Sequence, residues 1–239
     1  SGNLISSGWL DNSGYLENSG GQIEITDTGV LGNYPGGFLS NRGTLKNQGS
    51  LNNQGVFFIY EKAVMNNHGK LYNEYVAPSA LQQVTHLGIF GTLNNYGWLS
   101  NTGLLDNNSG TLINHQGATV HNGSETGSEG SAYMQNTSRI ENFGTFINFA
   151  RFETVNSFLN HSVLINESGG TLSVDETIDN TDGTFTNRGT LKGGGTILGG
   201  YTDHGVISPG QSAGVLTIVG HLVKAEGSKT IELGGLSDG

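Results

Sequence analysis

Apolar residues in this chain recur two positions after a glycine and two before an asparagine. Gly8-Trp9-Leu10-Asp11-Asn12 runs into Gly14-Tyr15-Leu16-Glu17-Asn18, and the pattern returns as Gly43-Thr44-Leu45-Lys46-Asn47, Gly49-Ser50-Leu51-Asn52-Asn53, Gly91-Thr92-Leu93-Asn94-Asn95 and Gly97-Trp98-Leu99-Ser100-Asn101. With substitutions it continues through Gly69-Lys70-Leu71, Gly110-Thr111-Leu112, Gly144-Thr145-Phe146, Gly183-Thr184-Phe185, Gly189-Thr190-Leu191 and Gly195-Thr196-Ile197. The unit is G-x-L-x-N-x. A spacing of two places Gly, Leu and Asn on one side of an extended strand and the intervening residues on the other.

One Leu per hexad buries too little apolar surface to offset the ordering of its backbone, so neighbouring units must share a core. Short strands wound about an axis provide it, because each coil hydrogen-bonds the next at about 4.8 Å and the Leu side chains stack internally. The expected fold is therefore all-β, a single-stranded parallel β-helix. Three hexads per coil, roughly 18 to 20 residues, give about twelve coils and a rod on the order of 60 Å. Gly is expected to supply positive φ at corners, and Asn to tolerate the left-handed region while its amide bonds to Asn in adjacent coils. Extra residues such as Asn108 and Asp182 loosen the hexad and suit a right-handed coil.

The pattern divides the chain. Residues 1–204 carry the repeat, with insertions near 56–90 and 121–136, and residues 205–239 read as further strands of different character. A loop or short helix is expected around Ser79 to Thr85, and the Gly/Ser-rich stretch from His121 to Ala132 has the composition of an exposed loop.

Composition removes several function classes. The chain of 239 residues has 40 Gly and 26 Asn, which disfavour helices throughout. It has no Cys, so disulfides and thiol chemistry are absent. Ten basic against 20 acidic side chains give a net charge of −10, which argues against nucleic acid and anionic membrane surfaces as partners. No run approaches the roughly 20 apolar residues of a membrane-spanning helix, so direct membrane insertion is not expected.

The segment Gly205-Val206-Ile207-Ser208-Pro209-Gly210-Gln211-Ser212-Ala213-Gly214-Val215-Leu216-Thr217-Ile218-Val219-Gly220, followed by Ile231-Glu232-Leu233-Gly234, resembles the terminal module of autotransporter passengers. The upstream G-T-L-x-N hexads are similar to those of filamentous-haemagglutinin-type adhesins. The resemblance implies a right-handed β-helix exported across a Gram-negative envelope to the cell surface or beyond, with adhesion or scaffolding as its activity. It transfers no catalytic or binding residues. No two-partner secretion domain is evident upstream and no membrane barrel follows, and the chain starts and stops in mid-pattern, so it reads as a fragment of something longer.

Candidate chemistry is sparse. Asp175, Asp179 and Asp182 form the densest acidic stretch and evoke a Ca²⁺ loop, since hard cations take several carboxylate oxygens; Asp179 is nevertheless expected to point outward and Asp182 to sit in a turn. The seven His residues have no metal-binding spacing, and most follow an Asn or lie in loops, where a solvated ring is expected. Gly210-Gln211-Ser212-Ala213-Gly214 formally fits a nucleophile elbow but opens no helix. Trp9, Tyr15 and Trp98 occupy the outward position between Gly and Leu, where rings could stack on sugars. Thr44, Thr92, Thr111, Thr145, Thr184, Thr190 and Thr196 share that register, as in β-helical ice-binding surfaces. Three roles stay open: an adhesive or structural rod contacting a host or neighbouring cell surface, glycan or matrix as a monomer; a carbohydrate-binding module; and a polysaccharide-degrading lyase or hydrolase.

Overall fold

A computed structural model describes residues 2–76, 85–126, 132–209 and 215–225, and a short strand at Ser228–Lys229. Most of the Ser79 to Thr85 segment, residues 127–131 of the second insertion and Ser212 lie outside the described residues.

The described chain is a three-sided parallel β-helix, with no helical segment among the described residues. The first coil runs Asn3–Ser6, Trp9–Asn12, Tyr15–Asn18, and the next coil lays Gln22–Ile25, Val30–Asn33 and Phe38–Asn41 in parallel register beside them. Repetition of this step makes three sheets of eleven strands each, which we call first, second and third in the order the chain visits them. Eleven rungs are close to the twelve expected from the hexads, and ten spacings of about 4.8 Å make a stack about 48 Å long.

The two inward positions of each strand do different work. The first forms the core: Leu31, Leu51, Leu71, Leu99, Val120, Phe146 and Leu164 stack rung on rung in the second sheet, and all are fully buried. Each such side chain contributes about 1.5–3 kcal/mol by leaving water. Phe146, Phe152 and Phe158, one from each sheet, meet in the centre with ring centroids 5.2–5.8 Å apart.

The second inward position carries Asn. In the second sheet the column runs Asn12, Asn33, Asn53, Asn73, Asn101, Asn122, Asn148, Asn166 and Asn187, and each Nδ2 donates to the Oδ1 of the next at 2.7–2.8 Å. Every donor faces the same way along the axis. From Asn12 to Asn166 the second hydrogen of each Nδ2 reaches across the corner to a carbonyl of the next coil, as Asn73 does to Leu104 (2.8 Å) and Asn101 to Tyr133 (3.2 Å). Asn is thus selected because the site needs two donors and one acceptor on a short stem. Asp203 closes the column, accepting from Asn187 at 2.6 Å and pairing through its other oxygen with Lys224, whose Nζ also donates to Gly205. A fully buried carboxylate is held here by complete pairing.

The Gly of the hexad has a different reason than the one its composition suggests. Among the described residues, positive φ outside glycine is confined to Lys62 and Ser109, so the ladder Asn residues keep ordinary backbone. Gly43 and Gly97 also lack positive φ, but a β-carbon there would lie 2.3 Å from the Gly21 oxygen and 2.2 Å from the Gly69 oxygen. Coils touch backbone to backbone at these corners, and only Gly leaves room.

Candidate functional site

With the interior filled, any function rests on outward side chains and corners. Trp9 and Tyr15 are strongly exposed, at 74% and 64%. They lie on different sheets: Trp9 and Trp98 belong to the second, four rungs apart, and Tyr15 to the third. Tyr15 stacks on Phe38 at 5.3 Å, and Trp98 packs against His121 at 4.4 Å. The three residues therefore form no common surface. The Thr residues are divided likewise, with Thr44, Thr92, Thr111 and Thr196 on the first sheet, Thr145 and Thr184 on the second and Thr190 on the third.

The acidic candidates also separate. Asp179 accepts from the backbone and hydroxyl of Thr181 at 3.1 and 2.7 Å, which hold its carboxyl below the usual range. Asp182 lies 3.4 Å from His161 Nδ1, and Asp175 sits exposed at another corner. Among the described residues no group of three or more His, Asp or Glu side chains is arranged to hold a metal ion.

The third sheet carries a polar cluster on its outer face. Tyr133 donates to Glu153 at 2.5 Å, Arg151 pairs with the same carboxylate, and its guanidinium lies 4.9 Å from the Tyr133 ring centroid. Burial and the Glu153 bond push the Tyr133 hydroxyl up to about 12. Burial acts to raise Glu153, but the Tyr133 and Arg151 hydrogen bonds and nearby cations outweigh it and hold the carboxyl below its ordinary value. Nearby, burial lifts Asp106 and depresses His86, each opposing the other's shift, and neither Asp106 Oδ1 nor His86 Nε2 has a hydrogen-bond partner. Tyr133, Glu153 and Arg151 consume one another's bonding capacity, which describes a structural network.

The corner between first and second sheets is more informative. The residue following each ladder Asn projects there, and on successive rungs it is His68, Tyr96, His115, Phe143 and His161. His68 and Tyr96 stack with centroids 4.5 Å apart and planes 3° from parallel; Tyr96 and His115 follow at 3.9 Å and 9°; Phe143 and His161 at 4.7 Å and 11°. Ring faces thus lie across the rod axis. No ring contact joins His115 to Phe143. At that rung the corner lengthens to His115-Gln116-Gly117-Ala118, closed by an Ala118 N–H to His115 carbonyl bond of 3.0 Å, with Gly117 at φ +80° where only Gly is unstrained. A cleft of about 520 Å³ opens there, lined by His115, Gln116, Phe143, His161 and Ser162.

From sequence, most His residues are expected to follow an Asn or lie in loops as solvated rings. Three of them instead share one stacked edge, and His121 is buried between Trp98 and Phe149. The signal was available: aromatic or imidazole residues in the slot after Asn on consecutive coils. No protein-family model, curated protein or solved structure matches this chain.

Proposed function

We propose that this chain is a rigid rod segment of a bacterial surface or secreted exoprotein, which presents or itself provides adhesive surfaces outside the cell. The carrying observation is the unbroken stack: three sheets of eleven parallel strands, tied internally by amide columns that cross the corners. Such a body is stiff without disulfides, because bending it requires breaking rungs on one side. The hexads and the terminal segment, similar to those of exported adhesins, support the extracellular assignment. The net charge of −10 keeps such rods apart in solution.

Beads coated with the purified chain should be retained on host cells or extracellular matrix in a saturable manner, and free chain should compete them off. Retention no better than beads coated with an inert protein removes the adhesive reading. A carbohydrate-binding role is the second reading, favoured by the aromatic edge between the first and second sheets.

A further inference from the structure

We propose that the cleft between His115 and Phe143 is a binding site for a neutral hexopyranose of a glycan. The inference deepens the adhesive reading and rests on it for its biological sense. The stacked edge runs in two blocks. His115 is stacked on Tyr96 and Phe143 on His161, with no ring contact between the two blocks, and the ring that ends each block lines the cleft. Flat apolar faces are what the C–H face of a pyranose stacks upon, and here two border one cleft.

The rest of the lining supplies what a polyhydroxylated ring requires. Gln116 offers an amide, Ser162 a hydroxyl, and His161 Nδ1 stands 3.4 Å from the Asp182 carboxylate. These are directional donors and acceptors at the rim, of the kind that fix a ligand's orientation. His115 is held in place by its Nε2 contact of 3.3 Å with Asn94 Oδ1, while Asn94 in turn donates to Asn66 at 2.9 Å. The site is therefore built before a ligand arrives, which lowers the ordering cost of binding. Glu141, whose charge acts on His115, is paired with Arg139 at 2.7 Å, which leaves Asp182 beside His161 as the acidic group next to the cleft, and neutral sugars are favoured over sialic or uronic acids.

The test is an NMR titration with methyl glucoside, methyl galactoside and methyl N-acetylglucosaminide, alongside glucuronic acid, sialic acid and indole, each to about 50 mM. At least one neutral glycoside should shift His115, Gln116, Phe143 and His161 with Kd on the order of 1 mM, and the acids should bind more weakly. Phe143→Ala should weaken that binding about tenfold, the equivalent of losing one ring stack. Gln116→Ala, on an exposed turn, provides a second variant and should weaken it less. Binding unchanged by both variants, shifts confined to Trp9 or Trp98, or a response to indole alone each overturns the site. If no glycoside binds while coated beads still adhere to cells, the cleft proposal fails and the adhesive reading stands. If beads also fail to adhere, both fall.

Discussion

The second and third sheets are built from the same strand unit, yet they fill the inner polar position differently. In the second sheet the column is amide from Asn12 to Asn187, then Asp203. In the third it reads Asn18, Asn41, Ile59, Ile89, Asn107, Asn136, Thr154 and Val174. Because every ladder bond points the same way, an apolar break has an asymmetric effect. The Asn before the break still finds a donor's outlet, as Asn41 does on the Val64 carbonyl at 3.2 Å. The Asn after it loses its supplier. Asn107 follows Ile89, Asn47 follows Ile25 in the first sheet, and the Oδ1 atoms of both are buried without a partner. The lesson is that a buried amide column is stabilising as a continuous run, and that each restart leaves one acceptor unsatisfied.

Breaking the continuous column should give the largest effect. Asn101→Ala removes the bonds to Asn122 and Tyr133, leaves Asn122 Oδ1 without its ladder donor and takes from Asn73 Nδ2 one of its two acceptors, at a cost of about 3 kcal/mol read from the denaturant midpoint. A cost below about 1 kcal/mol would show the ladder to be incidental. Asp203→Ala should cost about 2 kcal/mol, since it leaves Asn187 Nδ2 without its ladder acceptor and Lys224 with only the Gly205 carbonyl, whereas Asp203→Asn keeps the amide acceptor and should cost about half as much. Ile25→Asn sharpens the contrast from the other side. It sacrifices apolar burial but supplies Asn47 Oδ1 with a donor, so the net change should stay within about 1 kcal/mol.

A smaller effect concerns pH. Burial depresses His86, His115 and His121 below the ordinary 6.5, with nearby carboxylates opposing the shift in each case. As pH falls through 6.5 the unfolded chain takes up protons that the folded chain does not, so stability declines until the folded rings protonate in turn. Asp106, raised by burial, works in the opposite sense as pH falls toward its folded value. Melting temperature should therefore drop between pH 7.5 and pH 5.5, and His121→Phe, which preserves contact with Trp98 and Phe149, should flatten that slope. The smallest effect belongs to Phe143→Ala: its ring is 39% exposed, so stability should change by less than about 0.5 kcal/mol.

Much of this architecture could be read from residue spacing. Leu45, Leu51 and Asn47, two or six positions apart, already demand one shared interior and an amide column. The direction of the ladder could not be read, because Asn carries both donor and acceptor and only neighbouring coils decide which way its amide points. The reason for Gly43 and Gly97 is hidden for a similar cause: composition suggests φ freedom, while the contact that excludes a β-carbon comes from a residue more than 20 positions away. The aromatic edge was hidden by irregular coil length. His68, Tyr96, His115, Phe143 and His161 are separated by 28, 19, 28 and 18 residues, so no fixed period along the chain brings them into line.

The parallel winding also governs how the molecule responds to tension. Consecutive coils are joined by a single covalent thread, so a pull along the axis detaches one turn at a time. Each detached turn of roughly 20 residues pays out about 65 Å of extended chain in place of one rung. A tether made this way would lengthen in steps under load and dissipate a sudden tug before the contact at its tip gives way.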